Sequence, residues 1–524
     1  MNASGAERTF VLGLDGIPWD LLSTWVTDGK LPHFNELLEN GASGPLKSTI
    51  PPTTALAWPS IATGARADKH GIYSFRNLTE EYTHEMNTSN NVKQPRLWDI
   101  LSPSVVANVP MTYPAREIDG KMVTGMMTPS IDEGFTYPPE LANEITSEIP
   151  EYEIGLSWQE YHDREEEFLE DFSDLLAARR KLMRHLMEVE EWELFFFVYT
   201  EPDRLQHLIW DEDVILEHYK ELDDILGEVM TFVSENDANL FVVSDHGFGP
   251  ISKFVHVNTI LEENGLLQRK DNSGVRTAFS TLGISKTSIQ SILRKSGLQK
   301  PLLRILPDSI INNVANAVPG QHSLFDIDYT NTEAFGYAKR NIYVNDTNRF
   351  VHGPVDSSDI PDIKSEIEKM FQDIRDPESN KKLLEVYDGD ELFPSDNDAP
   401  DLVVKGVNGA EENTSLSDGV IEKSNKKSGA HLSQGIFFAW GPNIQKDTEV
   451  SGASVYDLAP TLLHSLSKPV PTTADGNCLD IFEASSESAL NDVEYKDYKT
   501  ESGYHEQSSD FEEVEERLEG LGYI

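Results

Sequence analysis

The sequence has very few cysteines and no long apolar run. Its 524 residues include a single cysteine, Cys478, which excludes an intramolecular disulfide framework and a multi-cysteine metal cluster. The longest apolar run lies around residues 194–199 and is far too short to cross a bilayer. The first residues show no basic stretch followed by a long apolar core, so no secretory signal is apparent. These absences predict a cytoplasmic protein without a membrane segment.

Basic residues are scarce relative to acidic ones. The chain has 43 Lys and Arg against 90 Asp and Glu, a formal net charge of −47. Such a balance argues against a nucleic-acid-binding surface, because phosphate backbones are bound by clustered Lys and Arg. Since 38% of the residues are hydrophobic, we expect a folded protein rather than a disordered one. The acidic excess indicates a halophilic, haloarchaeal origin, because carboxylates keep a surface hydrated in concentrated salt.

Short apolar runs alternate with helical stretches along the chain. This pattern predicts an α/β fold with a mostly parallel central sheet flanked by helices. Predicted strands at 9–14, 194–199 and 240–243 are each followed within a few residues by an aspartate. Because ligands bind outside the carboxyl ends of strands in open α/β sheets, we expect these aspartates to lie in a functional site.

Changes in composition divide the chain into four segments. We predict a core in two parts, 1–264 and 331–482, an inserted helical cap over 265–330, and an acidic linker with a final helix over 483–524. The insert is basic in an otherwise acidic chain, with Arg269, Lys270, Arg276, Lys286, Arg294, Lys295, Lys300 and Arg304. It is either an ordinary helical cap or a contact for an anionic substrate or partner.

Six residues at predicted strand ends or helix starts offer carboxylate or imidazole groups: Asp15, Asp203, His207, Asp245, His246 and His431. Asp203 and His207 are four residues apart after Pro202, which suits the first turn of a helix, so both side chains lie on one face. Three Asp and three His without a Cys favour divalent ions, Zn²⁺ first and Mn²⁺ second. The sequence therefore predicts a metal site.

Several motifs of the chain resemble a known superfamily in order and spacing. They are LGLDG at 12–16, PPTTALAWPSIATG at 51–64, YTEPDRLQH at 199–207, VVSDHGF at 242–248 and GAHLSQG at 429–435. Together they are similar to the alkaline phosphatase superfamily. The most similar branch is the type I phosphodiesterase/nucleotide pyrophosphatase family, and within it a microbial group of phosphohydrolases and phosphomutases.

The resemblance implies two metal sites and a nucleophile. Asp203, His207 and His431 would hold one ion, and Asp15, Asp245 and His246 the other. The nucleophile of relatives falls on Thr54, with Thr53 as the rival because Pro52-Thr53-Thr54 leaves a one-residue ambiguity. Metal coordination favours the alkoxide of a threonine, so the expected course passes through a covalent phosphothreonine.

The implied activity is cleavage of phosphodiester or nucleotide pyrophosphate-type bonds in a small phosphoester substrate. The same two-metal core also supports a phosphomonoesterase or phosphomutase, while a sulfatase or phosphoryl-group transferase is a weaker alternative. Relatives carry an Asn just after a His-Gly-Ile motif, where this chain has Phe75. Either Arg76 or Asn77 would substitute for it in holding a phosphoryl oxygen, or metals and backbone would mainly hold that oxygen. His70 either touches the site or packs its rim.

Overall fold

The structure is a computed structural model that describes residues 7–132, 134–156, 161, 164–270, 327–424, 428–499, 511, 514–515 and 517–518. The strands are β1 Thr9–Leu14, β2 Ala42–Lys47, β3 Arg76–Leu78, β4 His84–Met86, β5 Ser104–Ala107, β6 Gly120–Val123, β7 Thr136–Tyr137, β8 Leu194–Tyr199, β9 Asn239–Val243, β10 Gly247–Pro250, β11 Lys253–His256, β12 Ala334–Tyr337, β13 Asn341–Val344, β14 Leu384–Asp388, β15 Leu402–Gly406, β16 Ala410–Asn413, β17 Ile421–Lys423, β18 Gly429–Leu432, β19 Gln434–Trp440, β20 Thr448–Glu449, β21 Val470–Pro471 and β22 Tyr495–Lys496. The α-helices are α1 Trp19–Thr27, α2 Pro32–Asn40, α3 Thr54–Thr63, α4 Ala67–His70, α5 Leu97–Ile100, α6 Leu141–Glu148, α7 Glu165–Leu186, α8 Glu201–Leu208, α9 Glu212–Glu235, α10 Val257–Glu263, α11 Ile360–Gln372, α12 Gly389–Leu392, α13 Leu458–Ser465 and α14 Glu487–Leu490.

A nine-stranded sheet forms the centre of the molecule, in the order β20-β2-β19-β9-β1-β8-β5-β6-β7. Strand β1 lies between β8 and β9 and is parallel to both, and β5 continues the parallel pairing from β8 to β6. Antiparallel pairing is limited to β19 with its two neighbours and β7 at one edge. The predicted α/β fold with a mostly parallel central sheet is confirmed.

Both faces of this sheet are covered by helices. Phe10, Leu12 and Leu14 of β1 face a core that includes residues of α1, α2, α7 and α9, whereas Val11 faces a core with α3 and α13. Every residue of β1, β8 and β9 is buried. Central parallel strands buried on both faces are continuous apolar runs in sequence. These strands could therefore be predicted from the sequence.

A second, antiparallel sheet of four strands, β12-β13-β15-β14, lies apart from the first. Helix α11 packs on it, and residues such as Phe335, Ile342 and Ile367 form its own apolar core. Next in the chain after β15 comes β16, which belongs to a separate small sheet in the order β16-β11-β17. The turn between β12 and β13 projects toward the carboxyl ends of the central strands, as described below.

The structure describes only part of the segments into which the sequence was predicted to divide. Most of the expected cap, 265–330, lies outside the described residues, so that division stays a prediction. Near the C-terminus, Val514 and Leu518 are buried in a cluster with Ala55 and Phe75, while Leu521 is outside the described part. Among the described residues, no helix is both long and apolar enough to cross a membrane.

Candidate active site

The carboxyl ends of three neighbouring central strands bring five of the six predicted ligands together. Asp15 directly follows β1, Asp245 and His246 directly follow β9, and α8, which begins just after β8, carries Asp203 and His207. Parallel strands end at the same edge of a sheet, so residues distant in sequence converge there. The sixth residue, His431, lies on β18 and reaches the same place because β18 pairs with β10.

Asp203, His207 and His431 form one tight trio. The Nε2 atoms of the two histidines are 2.9 Å apart, and Asp203 Oδ1 lies 3.2 Å from His431 Nε2 and 3.5 Å from His207 Nε2. The Asp203 side chain has no exposed surface. One ligand atom from each of the three residues therefore faces a common point, as a metal ion requires.

Asp15, Asp245 and His246 form a second trio. His246 Nε2 lies 3.3 Å from Asp245 Oδ2 and 3.5 Å from Asp15 Oδ1. It is also 3.8 Å from Asp203 Oδ1, so the two trios adjoin each other. All three side chains of the second trio are completely buried.

The orientation of the imidazoles fits metal ligation. His246 Nδ1 lies 3.1 Å from the Gly247 carbonyl, and His431 Nδ1 lies 3.0 Å from the Pro52 carbonyl. A ring that donates Nδ1–H to a backbone carbonyl keeps the lone pair of Nε2 for a metal. Asp15 Oδ1 and Asp245 Oδ2 are buried and have no hydrogen-bond partner among the described residues. Divalent ions satisfy such a donor set.

The buried carboxyl groups of the two trios need nearby positive charge to stay ionised. Burial, followed by the charges of Asp245 and Asp203, raises the pKa of Asp15 well above its usual range, and burial raises the pKa of Asp245 to about 8. Burial lowers the pKa of His207, His246 and His431 well below the usual range. A bound cation reverses this tendency of buried carboxylates to take up protons. The cluster is therefore suited to charge-dense metal ions.

Thr54, and not Thr53, is the threonine whose hydroxyl meets the ligands. Thr53 has extended backbone and caps α3, while Thr54 is the first residue of that helix. Thr54 is fully buried and its Oγ1 lies 3.2 Å from His246 Nε2. One turn further along α3, the Trp58 indole donates to Asp15 Oδ2 over 3.1 Å. The N-terminal end of α3 is therefore fixed directly against the second trio.

A cleft opens beside the first trio. Its lining includes Thr53, Phe75, His207 and His431 together with the turn 338–340 between β12 and β13. Ala338 and Lys339 in this turn have φ values of 49° and 65°, a left-handed conformation that costs energy for residues other than glycine. Strain of this kind is maintained when surrounding contacts fix the turn.

Two cationic residues of this turn, Lys339 and Arg340, were not singled out by the sequence. Lys339 Nζ donates to Glu411 Oε1 over 2.8 Å, and the Arg340 guanidinium contacts Glu412 and the Pro52 carbonyl. Their only signal in the sequence is a Lys-Arg pair between two short apolar runs, GYAKRNIYV. Placing them at the cleft needs the tertiary arrangement of two separate sheets.

The three predicted substrate-binding residues lie outside the ligand cluster. His70 is buried, with its ring nitrogens 3.1 Å from Ser60 Oγ and 3.2 Å from the Ile72 amide, and burial lowers its pKa to about 3. Asn77 exchanges hydrogen bonds with Asn87. Arg76 lies 3.5 Å from Glu515. Phe75, at the position where relatives would carry Asn, lines the cleft instead.

Comparison with known proteins identifies the family. The sequence profile described as type I phosphodiesterase/nucleotide pyrophosphatase matches residues 9–431, a span that contains all six ligand-type residues and Thr54. The chain belongs to this family. It is thus a hydrolase of phosphoester bonds, and metal dependence is typical of that family. No protein of curated function matches the chain.

Solved structures with the same fold include human and murine ectonucleotide pyrophosphatase/phosphodiesterase 5. Each has a TM-score of 0.50 and 14% identity, and the alignment covers 91% of this chain with 99% of the human and 100% of the murine chain. A third structure, with the same score and identity, is an inactive murine variant, alanine replacing a threonine, in complex with AMP. At 14% identity the similarity to these structures shows the fold of this chain and not its substrate.

Proposed function

We propose that this enzyme cleaves phosphodiester or nucleotide pyrophosphate-type bonds through a phosphothreonine formed on Thr54, with two divalent metal ions bound by the six ligands. The observation that carries the proposal is the position of the Thr54 hydroxyl, 3.2 Å from His246 Nε2 at the junction of the two trios. A threonine hydroxyl is a weak nucleophile unless it is activated. Metal ions bound by the surrounding Asp and His side chains would activate the Thr54 hydroxyl.

Each trio would hold one ion, with Zn²⁺ preferred because imidazole and carboxylate are its common ligands and Mn²⁺ as the alternative. When bound, such ions favour the alkoxide of the nucleophile and neutralise charge on the attacking and leaving oxygens. Three buried aspartates, two buried histidines and the partly buried His207 supply the ligands. The Nδ1 contacts of His246 and His431 with backbone carbonyls hold these two rings in the ligating orientation.

The residues of this chain then act in sequence. Thr54 Oγ1 gives up its proton to solvent and forms a bond to phosphorus while the bond to the leaving oxygen breaks. Water later hydrolyses the phosphothreonine and supplies the proton that restores the Thr54 hydroxyl. Backbone N–H groups in the first turn of α3 face the position of the phosphoryl oxygens, since a helix N-terminus binds anions. Lys339 lines the same cleft as Thr53, where its ammonium group would attract the anionic substrate.

The related structures are consistent with this proposal. The murine relative that was solved with AMP is an inactive variant in which alanine replaces a threonine, which supports a threonine nucleophile and a nucleotide-type substrate. Phe75 in the cleft wall removes one polar contact that relatives would make with the phosphoryl group. The metals, the helix N-terminus and Lys339 would therefore carry more of that interaction here.

The proposal is tested by comparing turnover of four substrates by the full chain supplied with Zn²⁺ or Mn²⁺. The substrates are bis-p-nitrophenyl phosphate, a nucleotide pyrophosphate, p-nitrophenyl phosphate and p-nitrophenyl sulfate. We expect the diester or the pyrophosphate to have the highest kcat/KM. A preference for the monoester would instead indicate a phosphomonoesterase or phosphomutase, and a preference for the sulfate would contradict the proposal.

A further inference from the structure

Arg340 connects the second sheet to the loop that precedes the nucleophile. It lies in the turn between β12 and β13, and only 6% of its surface is exposed. We propose that Arg340 is a positioning residue, which fixes both the nucleophile loop and the His431 imidazole through one shared acceptor, the Pro52 carbonyl. This inference rests on the proposed function, because it assigns Arg340 a role at the same site.

The Pro52 carbonyl lies within hydrogen-bond distance of two donors from different parts of the chain. Arg340 Nη1 donates to it over 3.0 Å, and His431 Nδ1 lies at 3.0 Å from the same oxygen. A carbonyl oxygen has two lone pairs and satisfies both donors. Pro52 stands two residues before Thr54, so the position of this carbonyl fixes the start of α3 as well as the ring of His431.

The other end of Arg340 is anchored in the second sheet. Its Nε donates to Glu412, a carboxylate that is 2% exposed and that also accepts from the Gly406 amide over 2.8 Å. A guanidinium group is planar and donates in fixed directions, so contacts with Glu412 and Pro52 together determine its orientation. A lysine at this position would keep the positive charge but lose the fixed directions of the guanidinium donors.

The consequence for the site follows from the role of the Pro52 carbonyl. By accepting Nδ1–H of His431, it directs Nε2 toward Asp203 and His207. Groups that orient a metal ligand in this way change metal affinity or activity by about 10- to 100-fold when they are removed. Loss of Arg340 would release the carbonyl from one of its two donors and loosen both the ligand and the nucleophile.

The experiment compares Arg340→Gln and Arg340→Lys with Arg349→Gln as a matched control. Arg349 belongs to the same region, pairs with the buried Asp401 over 2.9 Å and does not line the cleft. Isothermal titration of chelator-treated, full-length protein with Zn²⁺ measures metal binding. Steady-state kinetics with bis-p-nitrophenyl phosphate then separate kcat from KM.

We expect Arg340→Gln to bind one of the two Zn²⁺ ions about tenfold or more weakly and to lose about tenfold or more in kcat, with a smaller change in KM. Arg340→Lys should recover only part of both losses, and Arg349→Gln neither loss. Unchanged Zn²⁺ binding and kcat in Arg340→Gln, or equal losses in Arg349→Gln, would overturn the assignment.

A second variant covers the case in which Arg340→Gln does not fold. Glu412→Gln retains Arg340 and weakens only its anchor, so we expect smaller losses in the same two quantities, and wild-type values would overturn the assignment.

The Zn²⁺ titration also separates this inference from the proposed function. If the wild-type enzyme cleaves none of the substrates, the proposed function fails, yet weaker Zn²⁺ binding in Arg340→Gln would still support the positioning role.

Discussion

The nine-stranded sheet and the four-stranded sheet contribute different kinds of residue to one cleft. The elements around the larger sheet provide the candidate nucleophile Thr54 and the six ligand-type side chains, five of them near the ends of strands that are buried on both faces and the sixth, His431, on β18, which pairs with β10. The smaller sheet provides Lys339 and Arg340 from a strained turn. The candidate reacting groups therefore stand at the rigid centre, while the cation that we propose attracts the substrate, Lys339, comes from a separate, locally fixed element.

The two regions also balance their charges differently. In the ligand cluster, buried carboxylates lie next to one another and burial raises the pKa of Asp15 and Asp245. In the turn of the second sheet, each cation already has a carboxylate partner, Glu411 for Lys339 and Glu412 for Arg340. The carboxylates of the first region need added cations to balance their charge, whereas each cation of the second region is already paired with one carboxylate.

The largest effect should come from the nucleophile on the larger sheet's side. We expect Thr54→Ala to lower kcat for bis-p-nitrophenyl phosphate by roughly 10⁴-fold or more, because removing a nucleophile abolishes the covalent route. Thr53→Ala loses a hydroxyl group that has no hydrogen-bond partner among the described residues, so it should cost less than about tenfold. A larger loss in Thr53→Ala than in Thr54→Ala would reverse the assignment.

The next effect concerns the metals. His207→Ala removes one ligand of the first trio, and we expect elemental analysis to find one bound divalent ion fewer than in the wild type. Metal ions supply several kcal/mol of transition-state stabilisation, so kcat should fall by more than about 100-fold. If the metal content and the rate both stayed at wild-type values, the first trio would not be a metal site.

A smaller effect is expected from the second sheet. Lys339→Gln should raise KM by about tenfold, with a smaller change in kcat, because a hydrogen bond to a charged group contributes about 1.5–3 kcal/mol. Lys364→Gln serves as the control, since Lys364 of α11 pairs with Asp388 and Asp390 and does not line the cleft. A change in kcat alone would place Lys339 with the reacting groups and erase the distinction between the two regions.

The last effect lies in the helices around the larger sheet and concerns stability and not activity. Burial lowers the pKa of His218 from 6.5 to about 3, so the unfolded chain binds a proton there before the folded chain does. The contribution is fully present above pH 6.5 and is lost as the pH falls toward 3, by about 1.4 kcal/mol per pH unit. We expect His218→Phe to unfold in urea with a correspondingly weaker pH dependence between pH 6 and pH 4. Identical pH dependence in the two proteins would show that His218 takes up its proton when folded.

Much of the larger sheet could be predicted from the sequence, for physical reasons. Asp15, Asp203 and Asp245 follow continuous apolar runs, and such runs mark buried parallel strands whose carboxyl ends meet. Asp203 and His207 are related by a single helical turn. These are local relations, which is why the sequence contains them. The order of the strands and the antiparallel partner that delivers His431 depend on long-range pairing.

The residues that the sequence missed are those placed by contacts between separate parts of the chain. Lys339 and Arg340 are more than 270 residues from Thr53 and Thr54, and only the packing of the second sheet brings them to the same cleft. The prediction that Arg76, Asn77 or His70 binds substrate rested on a motif of the family, a His-Gly-Ile followed by Asn. The structure ties His70 to Ser60 and Asn77 to Asn87, contacts that spacing alone does not reveal.

The most direct test of the central claim is to look for the covalent intermediate. The metal-loaded enzyme is mixed with bis-p-nitrophenyl phosphate, quenched in acid during turnover, and digested for mass spectrometry. The account predicts a phosphoryl ester on the peptide that contains residues 53 and 54, localised by fragmentation to Thr54 and absent from Thr54→Ala. A stable adduct on another residue, or full turnover by Thr54→Ala, would contradict it.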